Sequence, residues 1–244
     1  SLGAGGLADT GLFLASLPAF GLWSTGGLAT MPAALAIFGV LWALHGDEEG
    51  PKVVPAVACA VVATLLRADG IGYVGLILAA TLTGSKPNKP NWQQARTAVA
   101  ITASTAFTVF IAQAVWRHGY YGEWVPNTAK IKAAFTAARL HRGLLYAGAF
   151  LVAMPAIALG TGIGLQRWRE GPASLLLTCT TLFFGSLGYA IWVGGDFMPF
   201  GRFLVPALPA VALLFAWGSS RLAPKAVWAL PLLCVLASVA ESYD

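Results

Sequence analysis

Two short polar segments interrupt long apolar runs, and both carry residues that could bind a charged ligand. Residues 67–70 (RADG) place Arg67 two positions before Asp69, and residues 194–202 (GGDFMPFGR) contain Asp196 and Arg202. A guanidinium can bind a phosphate through two N–H groups, and a carboxylate can accept hydrogen bonds from sugar hydroxyls. The alternative for both segments is a local ion pair that ties the loop to itself.

The third polar segment is longer and is aromatic around Glu123. Pro126 is followed by side chains that can cap a helix, so the sequence predicts a short interfacial helix after residue 126, over 128–140. Asn127 and Lys130 at the start of that helix would form a phosphate site. The alternative is an aromatic belt at a membrane surface, with cations that reach towards water.

The composition shows what must position these segments. Hydrophobic residues make up 57% of the 244 residues and charged residues only 10%, whereas a soluble domain carries about 25% charged residues. Most of the outer surface must therefore face lipid, where long apolar runs are helical because every backbone polar group needs an internal partner. The sequence predicts an all-α, polytopic transmembrane bundle of about eight spans, forming a single transmembrane domain over 1–244. The apolar runs, the first of them short, cover 10–23, 27–45, 53–67, 70–84, 97–116, 144–166, 173–194, 203–219 and 224–240.

Alternation of these spans assigns each connecting loop to a side. Loops 67–70, 117–143 and 194–202 fall on one side, and the short basic loops, such as 85–96, fall on the other. Short basic loops favour the cytoplasm, so the first side is predicted to be external. Because charges at membrane depth are costly and mark function or a structural pair, we expect one site on the external face.

Charge and cysteine usage exclude other classes of function. The net charge of +5 comes from basic residues in short loops, which argues against nucleic acid and favours contact with membrane lipids and their phosphates. Cys59, Cys179 and Cys234 lie in apolar runs without metal-ligand spacing and are expected to be small buried hydrophobes.

Four segments together carry a family resemblance: 23–31 (WSTGGLATM), 67–70, 120–130 (YYGEWVPNTAK) and 194–206 (GGDFMPFGRFLVP). In this order they resemble polyprenyl-phosphate-dependent glycosyltransferases of the GT-C superfamily, and in particular the bacterial membrane arabinofuranosyltransferase-like family. The resemblance covers about residues 22–214 and implies a GT-C-like fold in the bacterial plasma membrane.

The resemblance also implies a reaction. Such enzymes transfer a sugar from a lipid-linked donor to an acceptor on the external face, using a carboxylate as base. Lys130, Lys132, Arg202 and Arg67 would then hold the leaving phosphate. Some GT-C enzymes use a divalent metal, and the sequence leaves both possibilities, with and without a metal, open for this chain. The candidate oxygen ligands are Asp69, Glu123 and Asp196.

The sequence departs from the family pattern in two places. The family has an acidic motif resembling Asp-Asp-Ala-Tyr-Ile upstream of the first matched segment, and residues 1–22 contain no such motif; the family also favours Glu where Ala29 stands. We therefore expect the chain to be part of a longer protein, with a split or an inactive family member as alternatives. The competing functions are a non-catalytic subunit of a larger membrane complex and a transporter or flippase.

Overall fold

The computed structural model describes residues 4–26, 28–46, 50–85, 91–124, 136–166, 173–198 and 200–219. Every regular element within these ranges is helical, as the apolar runs predict. The elements are α1 (Ala4–Ser16), α2 (Pro18–Thr25), α3 (Thr30–His45), α4 (Val53–Leu66), α5 (Gly70–Gly84), α6 (Trp92–Tyr121), α7 (Ala137–Ala153), α8 (Pro155–Gln166), α9 (Ala173–Val193), a 3-10 turn (Val205–Ala207) and α10 (Leu208–Ser219).

Two of these helices, α6 and α9, are long and apolar enough to cross a membrane. The bent pairs α2–α3 and α7–α8 raise the number of candidate spans to four if each pair forms one span. The helices α4 and α5 are apolar but shorter. The described ranges thus contain two to four candidate spans, consistent with a membrane protein, and the predicted span 224–240 lies outside them.

The predicted span 144–166 is wrong as a single helix, because α7 and α8 meet at 85°. Met154 lies between them with φ −129° and ψ 65°. The residue before a proline is driven out of the helical region, and Pro155 has no N–H to continue the ladder. The break therefore follows from one dipeptide inside an otherwise continuous apolar run.

The predicted external loop 117–143 is also shorter than expected. Helix α6 continues through Arg117 to Tyr121 and ends where Gly122 adopts a left-handed conformation with φ 71°. Helix α7 begins at Ala137, so the described part of the predicted helix 128–140 belongs to its first turn. Residues 125–135 lie outside the described ranges.

Close helix packing holds the bundle together, and α10 lies at its centre. Nearly every side chain from Leu208 to Ser219 is buried. Small residues permit the close approach: a Cβ on Gly164 would meet the Leu214 carbonyl oxygen at 2.6 Å, and one on Gly218 would meet Ile163 Cγ2 at 2.5 Å. Close contact through small residues is how helices associate in lipid, where burial of apolar surface adds little.

The loops divide between two ends of the bundle, as the alternation of spans predicts. At one end, which we call the inner end, His45 Nε2 lies 3.0 Å from Thr81 Oγ1 and 3.1 Å from Thr178 Oγ1. This contact joins the last turn of α3 to α5 and α9. The other end, which we call the outer end, carries loops 67–70 and 194–203.

Candidate functional site

The turn between α4 and α5 holds a bidentate ion pair. Arg67 Nε donates to Asp69 Oδ1 at 2.8 Å and Arg67 Nη2 donates to Asp69 Oδ2 at 2.7 Å. Gly70 makes this turn possible, because a Cβ there would overlap the Ala63 carbonyl group. The two bonds engage both oxygens of the Asp69 carboxylate within the turn.

The loop after α9 holds a second ion pair. Arg202 Nη2 lies 2.6 Å from Asp196 Oδ2, and the Asp196 side chain is only 1% exposed. Gly194, Gly195 and Gly201 have φ between 63° and 78°, a conformation that glycine adopts without steric cost. These glycines fold the loop back so that two residues six positions apart can meet.

Phe203 brings the two ion pairs together. Its ring centroid lies 5.8 Å from Arg67 Cζ and 5.6 Å from Arg202 Cζ, both within the range of cation–π attraction. Its backbone is fixed as well, since Tyr73 Oη donates to the Phe203 carbonyl at 2.7 Å and the Phe203 N–H donates to Tyr146 Oη at 3.4 Å. We call Arg67, Asp69, Asp196, Arg202 and Phe203 the Phe203 centre. The predicted convergence of these four charged residues at one end is therefore seen.

Three tyrosines around this centre were missed by the sequence reasoning. Tyr73 and Tyr146 position Phe203, and the Tyr189 ring packs edge to face against Phe203 at 5.6 Å and against Tyr73 at 6.0 Å. Their sequence signal was weak: Tyr73 lies one turn into α5 and Tyr189 one turn before the end of α9, where aromatic residues at helix ends are ordinary in membrane proteins.

Two cavities adjoin the Phe203 centre and share Tyr146, Asp196 and Phe197. The first, of about 450 Å³, is lined by two cations, Arg139 and Arg142, and we call it the basic cavity. The second, of about 370 Å³, is almost wholly apolar, and we call it the apolar cavity. The remaining lining residues are Val193, Gly194 and Gly195 in the basic cavity and Ala149, Phe150, Ala153, Met154, Met198, Phe200 and Gly201 in the apolar cavity.

Both cavities lie between helix α7 and the loop after α9, and each contributes lining residues. Arg139, Tyr146 and Phe150 lie on one face of the helix and contact Gly194, Gly195 and Gly201 in turn. Arg139 is only 7% exposed, whereas Arg142 is exposed at the mouth of the basic cavity. Arg139 falls in the predicted interfacial helix 128–140 and Arg142 in the predicted loop 117–143; neither was given a role, because the sequence did not indicate that one helix runs from Ala137 to Ala153.

The other predicted site residues lie elsewhere. Glu123 is half-buried beyond the end of α6, outside both ion pairs. Asn127 and Lys130 lie outside the described residues. Among the described residues, no group of three or more His, Cys, Asp or Glu side chains could hold a metal ion, so Asp69, Glu123 and Asp196 do not form such a group.

Comparison of the chain with protein-family models, with curated proteins and with solved structures finds no match.

Proposed function

We propose that this chain is a membrane glycosyltransferase of GT-C type, or the membrane body of one, with about eight spans in a bacterial plasma membrane. It would transfer a sugar from a polyprenyl-phosphate donor to an acceptor on the external face. The observation that carries the proposal is the junction of the basic cavity with the apolar cavity beside the Phe203 centre.

The two cavities match the two halves of a lipid phosphate. Arg139 and Arg142 supply cations for a phosphate, and a charged hydrogen bond is strong where water is scarce. The apolar cavity begins at Asp196 and Phe197 and offers a surface for the first part of a hydrocarbon tail. Preorganised cations that stabilise the leaving phosphate are what sugar transfer from such a donor requires.

Arg67 and Arg202 have a different place in this proposal. Each already binds a carboxylate at 2.6–2.8 Å, so a phosphate would have to compete with Asp69 or Asp196. They are better suited to holding the loops in place around the basic cavity. Arg142, which is exposed at the cavity mouth, is the cation most accessible to an incoming ligand.

The same ion pairs favour the alternative of a non-catalytic subunit in a larger membrane complex. A general base must be able to take a proton from an acceptor hydroxyl. Asp69 and Asp196 are both engaged by arginines, and neither is poised for that task. Under the first proposal the base comes from another part of the protein. A transporter is the second alternative, supported by the bent pairs α2–α3 and α7–α8, which resemble the broken helices of transporters.

Ligand binding tests the proposal on the full chain in lipid nanodiscs. We expect farnesyl phosphate to bind, farnesol to bind much more weakly, and Arg142→Gln to weaken phosphate binding by about tenfold or more, the range for a lost charged hydrogen bond. The matched control is Arg96→Gln at the inner end, where Arg96 lies over the Trp92 ring. Equal affinity for the alcohol and the phosphate, or equal effects of both substitutions, would contradict the proposal.

A further inference from the structure

Helix α6 is far longer than the two helices it packs against. It has 30 residues, whereas α4 has 14 and α5 has 15. At 1.5 Å per residue the lengths are about 45 Å, 21 Å and 22 Å. All three helices reach the inner end, because a Cβ on Gly50, just before α4, would lie 2.9 Å from Gln94 in the first turn of α6, and Thr81 in the last turn of α5 contacts His45. Helix α6 therefore extends beyond the turn 67–70.

A groove between α5 and α6 gives the same register independently. Ile71, in the first turn of α5, lines this groove together with Phe107 of α6. Phe107 lies 15 residues after Trp92, or about 22 Å along the helix. The turn 67–70 thus lies about halfway along α6, and α6 continues for about 20 Å past it.

The part of α6 beyond the turn ends in a cluster of exposed aromatic rings. Trp116, Tyr120 and Tyr121 are 62%, 71% and 63% exposed. The Trp116 ring stacks on Tyr120 with 5.6 Å between centroids, and the Tyr121 ring lies 4.7 Å from Tyr120, edge to face. We call these three residues the aromatic cluster. Exposed Trp and Tyr side chains at the end of an apolar helix are typical of the membrane–water interface.

The spacing along α6 fits a bilayer. Trp92 at the other end carries Arg96 at 4.6 Å over its ring, a second interfacial pair. Trp116 is about 36 Å and Tyr120 about 42 Å from Trp92 along the axis. A bilayer has about 30 Å of hydrocarbon and 40–45 Å including the headgroups. The two ends of α6 therefore match the two headgroup layers.

The surface between these ends is suited to lipid. Ile101, Phe107, Ile111 and Val115 are 44–59% exposed, and they lead directly into the aromatic cluster. A soluble oligosaccharide could also stack on exposed rings, but it would not account for the apolar stripe or for Trp92 at the opposite end. Continuity of the stripe with the cluster favours lipid as the occupant of this whole face.

We propose that the aromatic cluster lies among the lipid headgroups of the outer leaflet and that the Phe203 centre is recessed into the hydrocarbon layer beneath it. With the two ends of α6 about 42 Å apart in the two headgroup layers, the turn 67–70, about 21 Å from the inner end, lies about 15 Å below the outer edge of a 30 Å hydrocarbon layer. Charges at such depth must be paired, as Arg67–Asp69 and Asp196–Arg202 are. A ligand then reaches the centre from the outer leaflet. This inference does not depend on the proposed function.

Spin-label depth measurements test this placement. Tyr120→Cys, Ala68→Cys and Ile101→Cys would each be labelled in a full chain whose three native cysteines are replaced by alanine, reconstituted in phosphatidylcholine–phosphatidylglycerol vesicles. All three positions are exposed, so a label should not disturb packing. Relaxation by oxygen and by a water-soluble nickel chelate reports the depth of each label.

We expect the label at 120 at headgroup level, the label at 68 about 15 Å below the outer edge of the hydrocarbon layer, and the label at 101 in the inner half of that layer, about 8 Å from its inner edge. Equal depths at 68 and 120, or a label at 120 fully in water, would overturn the proposal. A second readout is tryptophan fluorescence in the chain with its native cysteines. Lipids brominated near the headgroup should quench the wild type more than Trp116→Phe, whereas lipids brominated at the chain end should quench the two proteins equally. The reverse order would also overturn it. Neither experiment uses the ligand of the proposed function, so the two proposals fail separately.

Discussion

Substituting Arg202 in the Asp196–Arg202 pair should lower the unfolding free energy more than substituting Asp196. Arg202→Met removes the cation that lies 2.6 Å from the Asp196 carboxylate, which is 1% exposed, whereas Asp196→Asn leaves Arg202 an amide oxygen as acceptor and the Phe203 ring 5.6 Å away. An unpaired buried charge costs about 3–5 kcal/mol of unfolding free energy. We expect that range for Arg202→Met and about 2 kcal/mol for Asp196→Asn, since the amide oxygen and the Phe203 ring still stabilise the arginine.

The double variant separates pairing from packing. Asp196→Asn combined with Arg202→Met removes both charges and leaves no unpaired ion, so we expect it to be about 2 kcal/mol more stable than Arg202→Met alone. Equilibrium unfolding of the wild type, the two single variants and the double variant in mixed detergent micelles gives the four free energies of a double-mutant cycle. Additive effects of the two substitutions, or a larger loss for Asp196→Asn than for Arg202→Met, would refute the reasoning.

Two further predictions concern the backbone around the Phe203 centre, and both use unfolding free energy as the measurement. Gly201→Ala should lower the unfolding free energy by about 2–4 kcal/mol, because φ is 63° and the new methyl group would overlap the Phe150 ring. The control Gly148→Ala, where a Cβ would have nothing within 4 Å, should be neutral or stabilising. Similar losses in the two variants would contradict this prediction. Tyr73→Phe removes the buried hydrogen bond to the Phe203 carbonyl and should cost about 1–2 kcal/mol. Tyr120→Phe is the exposed control, and an equal loss there would show that the buried bond contributes nothing specific.

The positions of α4 and α5 were predictable because the ends of the apolar runs determine them, whereas the predicted span 10–23 is divided between α1 and α2. The expected spans 53–67 and 70–84 agree with Val53–Leu66 and Gly70–Gly84 to within one residue. A polar or glycine residue at each end interrupts the apolar run, and in lipid such a run has no alternative to a helix. The span 144–166 failed because hydropathy does not register the conformational restriction that Pro155 places on Met154.

The charged part of the site was predictable for a related reason. Arg67 and Asp69 are two residues apart, and Asp196 and Arg202 lie in one loop, so each pair could be proposed from the chain alone. Alternation of the spans then placed both pairs at one end. No comparable local pattern marked Arg139 or Tyr146, which reach the site only because α7 turns by 85° from α8 and packs along the loop after α9.

The sequence by itself therefore determined that the chain is helical and apolar and that the Arg67–Asp69 and Asp196–Arg202 segments lie at one end, since these properties depend on apolar runs and on neighbours in the chain. Only the tertiary structure decided that Phe203 lies between two guanidiniums, that a basic cavity adjoins an apolar one, and that α6 extends past the turn 67–70. These properties depend on the angle and register at which helices pack. That geometry is set by small residues and by one proline-induced break, which single-sequence patterns do not encode.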